Sequence, residues 1–366
     1  MQAVVMHAPE DYRLEERPVP TPAAHELLIQ VEAVGVCASD LKAYAGAAKF
    51  WGDENRDRWV EPGIIPGHEI TGTVVQGSDE ILAHHGVSVG DRIVVEQIVP
   101  CGECMYCQRG WYWMCAPHDM FGFKHYHGGM AEYMIVPKLA RAHRISKDIA
   151  PQHAAYAEPL SCSMHAVERA ELEFDDVVVI AGAGPIGLGA IIGAAHKNPK
   201  LVIALDFDDE KLELAKKCGA DLTLNPSKVD IYEEIRGLTG GYGADVYIEC
   251  TGHPSAVPQG LNLAAQARPL RGVLRVQGER LRGLVDHLRR QGARRARRPP
   301  RPAHLARRHQ DHREGRPAPR RDLHPPVRPR RLPEGPRLGR RLRRRLRQGL
   351  HPPRPLSTAP LIPDQP

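Results

Sequence analysis

The spacing of apolar residues divides the chain into three textures. Over residues 1–150, short apolar runs such as Leu27-Leu28-Ile29-Gln30-Val31 and Arg92-Ile93-Val94-Val95 are set apart by proline and glycine. This is the punctuation of short strands joined by turns. Val89-Gly90-Asp91 reads as a turn feeding the second run. From about residue 160 the period lengthens. A helix-like stretch over 161–170 precedes Val177-Val178-Val179-Ile180, the pattern of a strand buried on both faces. A glycine-rich turn then opens a long apolar helix over 187–196. Leu201-Val202-Ile203-Ala204-Leu205 is the next strand, a charged helix covers 209–218, and a further strand covers 245–249. Strand and helix alternating at this spacing predict a parallel sheet. After residue 262 no period survives. The expected organisation is therefore a β-rich domain over 1–160, an α/β domain over 161–262, and a tail over 263–366.

Charge sharpens that division. The net charge of +6 averages two opposite parts. Residues 1–262 hold 21 Lys+Arg against 37 Asp+Glu, a balance of −16. Residues 263–366 hold 29 Arg, no Lys and 7 Asp+Glu, a balance of +22. The tail also carries 17 prolines, and all 19 aromatic residues lie before it. Such a segment buries too little apolar area to offset its ordering entropy, so it is predicted to be disordered. The 366 residues contain no run of about 18 apolar positions, which excludes a spanning helix. The N-terminus opens directly on a strand pattern, so no signal peptide is expected.

Four of the eight cysteines crowd one loop. Cys101, Cys104, Cys107 and Cys115 offer four thiolates to one tetrahedral ion, with Gly102 and Gly110 easing the bend. Four sulfurs close a zinc site completely, which makes it structural. An iron–sulfur centre is the other chemistry four thiolates serve. Clustered thiols without a secretory signal indicate a reducing compartment, taken as the cytoplasm. A second donor set is scattered: Cys37, the pair His68-Glu69, and Glu158. One thiolate, one imidazole and one or two carboxylates hold zinc with an open position. Spacing alone makes this only a weak signal.

The α/β half carries Gly182-Ala183-Gly184-Pro185-Ile186-Gly187 between a strand and a helix. Glycines at this spacing allow a tight turn, close approach to a pyrophosphate and close helix packing. Asp206 follows at the end of the next strand, 19 residues after Gly187. Its carboxylate suits two ribose hydroxyls and repels a 2′-phosphate, which favours NAD over NADP.

Together these residues resemble the zinc-dependent medium-chain dehydrogenase/reductase (alcohol dehydrogenase) family, over residues 1–262. Within it, Val36-Cys37-Ala38-Ser39-Asp40-Leu41-Lys42, the segment Phe50–Arg56, Ala157-Glu158-Pro159-Leu160 and Leu238-Thr239-Gly240-Gly241 are similar to the polyol branch, nearest its erythritol/L-threitol dehydrogenases. The resemblance implies a GroES-like catalytic domain and a Rossmann domain, here cut short. It implies two zinc ions per chain, NAD, and hydride transfer from a secondary hydroxyl of a small polyol to give a ketose. Threonine- and butanediol-type dehydrogenases are the neighbouring alternatives. Cys37, His68 and Glu69 take the place of catalytic zinc ligands, with Glu158 either a fourth ligand or the hydrogen-bond partner of the zinc water. Ser39 stands at the position of a proton-relay hydroxyl, and Lys42 where many relatives carry histidine. Gly182, Gly184, Pro185, Ile186 and Gly187 would cradle the pyrophosphate, Asp206 and Lys211 the adenosine half, and Thr251 with Gly252 the nicotinamide half. A homo-oligomer, dimer or tetramer, is expected, with no membrane partner. Trp51 and Trp59 are candidates for the substrate mouth or for packing. Cys162, Cys218 and Cys250 are expected to be buried structural thiols, and His125 and His127 loop residues.

The tail has two further readings. Twenty-nine arginines would hold nucleic acid nonspecifically. Yet the tail lacks Lys, Asn, Phe, Tyr and Met, residues that share AT-rich codons, while its abundant Arg and Pro share GC-rich ones. That pattern indicates out-of-frame translation of a GC-rich gene. One choice of codons for Ala264 to Arg271, with its first base removed, spells Leu-Arg-Lys-Leu-Gly-Arg-Tyr, a helix end, a glycine and a strand start. The frameshift reading expects the chain to be aggregation-prone and to have little or no dehydrogenase activity, since the α/β sheet would end at an exposed edge.

Overall fold

The computed structural model describes residues 1–264; the expectations for the remainder of the tail lie outside the described residues. The first half is a β-rich assembly. Strands β1 (Gln2–Ala8) and β2 (Asp11–Glu16) pair with each other. The long β3 (Glu26–Gly35) is followed by helices α1 (Ala38–Tyr44) and α2 (Ala48–Trp51), then β4 (Glu69–Gln76), α3 (Asp79–His85) and β5 (Arg92–Val95). A lobe containing β6 (Ile98–Val99), α4 (Met105–Gln108) and β7 (Asp119–Met120) precedes β8 (Tyr133–Pro137) and β9 (Ala142–Arg144). The five-stranded sheet runs β8-β3-β4-β5-β9, antiparallel throughout. Leu27, Ile29, Ile70, Val74, Ile93, Val95, Met134 and Val136 turn inward from its strands and form one apolar core.

Helices α5 (Pro151–Ala155) and α6 (Ala157–Arg169) lead into the second half. There β10 (Val177–Ala181), α7 (Pro185–Lys197), β11 (Leu201–Leu205), α8 (Asp209–Lys217), β12 (Leu222–Leu224), α9 (Ile231–Leu238), β13 (Val246–Glu249) and α10 (Ala256–Leu263) alternate. The sheet order is β12-β11-β10-β13 and every pairing is parallel. All five residues of β10 are buried because both faces are covered. Val178 and Ile180 join one core with Ala190, Ile191 and Leu212; Val177 and Val179 join the opposite core with Ile231, Ile235 and Tyr247. Asp208 and Asp230 cap α8 and α9 by accepting from backbone N–H groups of their first turns. The described chain ends in a parallel bridge between Ala244 and Ala264, beside the entrance to β13.

The helix expected over 161–170 starts earlier, at Ala157, so Glu158 sits in its first turn rather than ahead of it. The line drawn between residues 160 and 161 thus falls inside α6. This helix packs tightly on α7: a Cβ on Gly189 would lie 2.5 Å from Ser163 Oγ, and one on Gly193 2.7 Å from Met164 Sδ. Ser163 Oγ, in turn, lies 2.9 Å from both the Pro159 and Ile186 carbonyls. The helix that holds Glu158 is thereby fastened to the helix that opens at the glycine turn.

Candidate active site

The antiparallel register of β3 and β4 assembles the first donor set. Gly35 pairs with Glu69, which brings Cys37, two residues beyond the strand, beside His68. A Cβ on Gly35 would lie 2.0 Å from Glu69 Oε2, so glycine leaves the room this carboxylate occupies. The donor atoms of Cys37, His68 and Glu69 all lie within 4.8 Å of one another. Glu158 stands outside that triad, yet near enough for His68 and Glu69 to act on its charge. Ser39 Oγ is 3.4 Å from His68 Nε2. Lys42 is half-buried on α1, three residues after Ser39.

His68 is held from behind. Its Nδ1 is 3.6 Å from Asp40 Oδ1, both groups are buried, and neither atom has a hydrogen-bond partner among the described residues. Asp40 Oδ2 meanwhile accepts from Cys37 N at 2.8 Å. One carboxylate thus faces the ring of one donor and fixes the backbone of another, the usual arrangement behind a metal-binding histidine. Burial resists charge on His68, but Asp40 and Cys37 raise it to about 10. Burial also resists the Cys37 thiolate, which hydrogen bonds involving His68 and Ser39 hold below its ordinary range. Burial pushes the Glu158 carboxyl up to about 7, against the pull of His68. A thiolate, an imidazole with a backing carboxylate, and half-buried acids are donors zinc prefers, so these residues fit the ion.

An aromatic wall flanks this cluster. The Phe123 ring is 5.3 Å from that of His68, and Trp59 and Phe50 each stack on Phe123 at 5.3 Å. Trp51 instead donates its indole N–H to the Ala43 carbonyl at 2.6 Å, a packing role. Phe123 and Asp40 are the residues that sequence reasoning missed. Asp40 had a signal: an acid three residues after a helix N-cap is a capping pattern. Phe123 had none, since only the tertiary fold sets it against His68. Cys162, expected to be buried, is exposed and donates to Glu158 Oε1 at 3.5 Å. His127 does more than sit in a loop: its Nδ1 accepts from Ile65 N at 3.1 Å, next to the segment that presents His68.

The four-cysteine loop converges as its spacing suggests. The sulfurs of Cys101, Cys104, Cys107 and Cys115 lie within 4.8 Å of one another, with Cys101–Cys107 at 4.0 Å and Cys104–Cys107 at 3.6 Å. Tetrahedral zinc at 2.3 Å from each sulfur requires about 3.8 Å between them. Backbone N–H groups of Cys101 and Cys104 point at Cys115 and Cys101 sulfurs, and hydrogen bonds at Ala116 and Cys107 pull the Cys104 thiol down to about 6.

On the other sheet, the glycine turn has the shape of a phosphate cradle. Gly182 adopts φ +94°, open only to glycine, and a Cβ there would lie 2.9 Å from Thr251. A Cβ on Gly187 would fall 1.7 Å from the Gly182 carbonyl. Gly184, the N-cap of α7, faces open space, and Pro185 and Ile186 begin the helix. The cradle therefore fits a dinucleotide pyrophosphate at a helix N-terminus. Asp206 accepts from Ala183 N at 2.7 Å and from Asp208 N at 3.0 Å, tying the turn to the end of β11. Lys211, on α8, ion-pairs with Asp208 at 3.6 Å. Thr251 lies against the turn, its hydroxyl bonded to Glu249 rather than left free.

Comparison with known proteins agrees with this geometry. Residues 23–147 match the alcohol dehydrogenase GroES-like domain, and residues 185–268 the zinc-binding dehydrogenase domain. The chain is 63% identical to an erythritol/L-threitol dehydrogenase of Mycolicibacterium smegmatis over 264 residues, 72% of this chain and 73% of that one. It is 34% identical to a sorbitol dehydrogenase of Halalkalibacterium halodurans over 72% of this chain and 74% of that one. Among solved structures it is similar to an NADP-bound protein from Sinorhizobium meliloti assigned to the zinc-binding dehydrogenases, with 30% identity, a TM-score of 0.66, and coverage of 79% of this chain and 82% of that one. By sequence, fold and donor set alike, the chain belongs to the zinc-dependent alcohol and polyol dehydrogenases, with their GroES-like and Rossmann halves.

Proposed function

We propose that this protein oxidises a secondary hydroxyl of a small polyol of the erythritol or threitol class to a ketose, passing hydride to NAD. The observation that carries the reading is the convergence of Cys37, His68 and Glu69 at one point. They would hold one zinc ion, with Glu158 beside it, and the four-cysteine loop a second. Zinc, when bound, would supply the Lewis acidity that makes a hydroxyl more acidic, and NAD would supply the hydride acceptor. Ser39, beside His68, takes the hydroxyl proton toward solvent, with Lys42 further along the same helix. Asp40 holds the His68 ring in line. Phe123 and Trp59 give the substrate an apolar wall and keep water from the donors. Gly184, Pro185 and Ile186 would offer backbone to the pyrophosphate, and Asp206, held by the Ala183 and Asp208 N–H groups, would use its remaining lone pairs to accept from the ribose diol, with Lys211 on the following helix. The 63% identity to an erythritol/L-threitol dehydrogenase supports the substrate class. The eight free cysteines support a reducing, cytoplasmic setting, and assembly as a dimer or tetramer follows the family. No helix among the described residues is long and apolar enough to cross a membrane.

The test is NADH formation by the purified, zinc-loaded protein with erythritol, threitol, L-threonine and 2,3-butanediol. The tetritols are expected to react fastest. Faster turnover of threonine or butanediol would move the protein to a neighbouring branch.

A second reading concerns residues 263–366 and is favoured by where the similarity stops. The family match ends at residue 268, and the erythritol/L-threitol relative aligns over 264 of 366 residues. In this reading the tail is out of frame, and the chain carries the site but has little or no dehydrogenase activity. Sequencing the codons for Gly260 to Leu274 decides it: a spurious base establishes a full-length polyol dehydrogenase, and an intact frame makes the arginine-rich tail genuine.

A further inference from the structure

The turn after β13 is built around a buried charge. Glu249 is 3% exposed. Its Oε1 accepts from Thr251 N at 2.6 Å, from Thr251 Oγ1 at 2.6 Å and from Gly252 N at 2.9 Å; Gly252 N also reaches Oε2 at 3.2 Å. All these bonds come from Thr251 and Gly252, the second and third residues beyond the strand. A carboxylate this buried is costly to keep unless it is hydrogen-bonded in this way. The geometry also needs its full length: the side chain must reach forward past Cys250 to collect two N–H groups and a hydroxyl. An apolar residue here would leave three donors unpaired.

The same turn forms a wall of the glycine cradle. Cys250 N donates to the Ala181 carbonyl at 2.8 Å, locking the turn to β10. A Cβ on Gly182 would lie 3.0 Å from Thr251 N, and one on Gly187 3.5 Å from Cys250 Cβ. Gly252 adopts φ +68°, so the chain reverses there. The Thr251 hydroxyl gives its proton to Glu249 and accepts from His253 N at 2.8 Å. That hydroxyl is therefore spent inside the turn and has no proton for a ligand.

We propose that Glu249 is a positioning residue for the dinucleotide: it holds Thr251 and Gly252 as a shaped wall beside the glycine turn, and it makes Thr251 a packing contact rather than a hydrogen-bond donor. The inference rests on the reading that the α/β half binds NAD.

The experiment is a titration of the full chain with NADH, followed by nucleotide fluorescence, for the wild type, Glu249→Gln, Thr251→Val, their double variant and Asp206→Asn. Glu249→Gln keeps the volume but turns one acceptor into a donor facing N–H groups. It is expected to weaken NADH binding about tenfold, the effect of losing a charged hydrogen bond. Its zinc content should be unchanged, and its KM for NAD should rise while its KM for polyol stays put. A merely structural role would not move one KM alone. Thr251→Val should also weaken binding, and the double variant should bind no worse than Glu249→Gln, because both break one unit. NADH binding by Glu249→Gln within twofold of wild type overturns the inference, as does full additivity of the two losses. Such a result leaves the NAD reading standing if Asp206→Asn still weakens binding. A wild type that binds neither NADH nor NADPH overturns both.

Discussion

The two halves of the molecule build their sites in opposite ways. In the β-rich half the donors come from separate segments: Cys37 after β3, His68 and Glu69 at the start of β4, Glu158 on α6. Nothing local brings Cys37 to His68 and Glu69; the β3–β4 register does, and Glu158 comes in on a separate helix. In the α/β half the cofactor cradle is nearly contiguous, from Gly182 to Gly187, with Asp206 one strand later. The first site is made by sheet pairing, the second by a turn that needs glycine at Gly182 for its backbone angle and at Gly187 for space. Damage to the first should therefore show in metal content, and damage to the second in nucleotide binding, with little crossover.

The largest expected effect follows from removing a donor. Cys37→Ser should lower bound zinc from two per chain to one by mass spectrometry and cut turnover about 1,000-fold relative to the parent, the loss of several kcal/mol of charge stabilisation. NADH binding should be nearly unchanged; a parallel loss of nucleotide affinity would show that the two sites are not separate. Gly187→Ala is the mirror test. Its methyl would meet the Gly182 carbonyl, so NADH affinity should fall about 100-fold while both zinc ions remain.

Asp40→Asn probes the support behind His68. It leaves all proposed ligands in place, and a 10- to 100-fold loss of affinity for the catalytic zinc is expected in a chelator competition. Affinity equal to wild type would mean that β3–β4 pairing alone orients the ring.

The smallest effect tests the scaffold under the first site. Hydrogen bonds from Arg92 hold the Glu32 carboxyl below its usual range, with Thr73 adding to them. A depressed folded value stabilises the protein above the unfolded pKa of about 4.3, and this stability is lost as pH falls through the folded value. Glu32→Gln should lower the melting temperature by about 2–4 °C at neutral pH, near 1 kcal/mol, and the gap to wild type should close on acidification. A gap that does not change with pH would mean the pair contributes by shape rather than by charge.

This contrast also explains what could be read in advance. The parallel sheet, the glycine turn and Asp206 were legible because each is encoded by a local pattern: a strand buried on both faces, a helix start, a fixed count of residues. The four-cysteine loop was legible for the same reason. The scattered donors were legible only through resemblance, since the spacing from Cys37 to His68 to Glu158 carries no period. The start of α6 at Ala157 was missed because Pro159 and Ser161 obscure a helical pattern that Pro159 tolerates in the first turn. Phe123 and Glu249 were not legible at all: one acts through a ring contact 55 positions from His68, the other through bonds made inside a turn.

The sequence by itself determined the division into an acidic, periodic body and an arginine-rich tail, the alternation of strand and helix in the second half, and the identity of the chemical groups on offer. Those follow from burial periodicity and side-chain chemistry, which are properties of short windows. Only the tertiary structure decided which groups meet. It set Cys37 beside His68 through a strand register, placed Asp40 behind the ring, and folded Glu249 under the wall of the cradle. Distances between residues far apart in the chain are fixed by the packing of whole elements, and no window of sequence contains them.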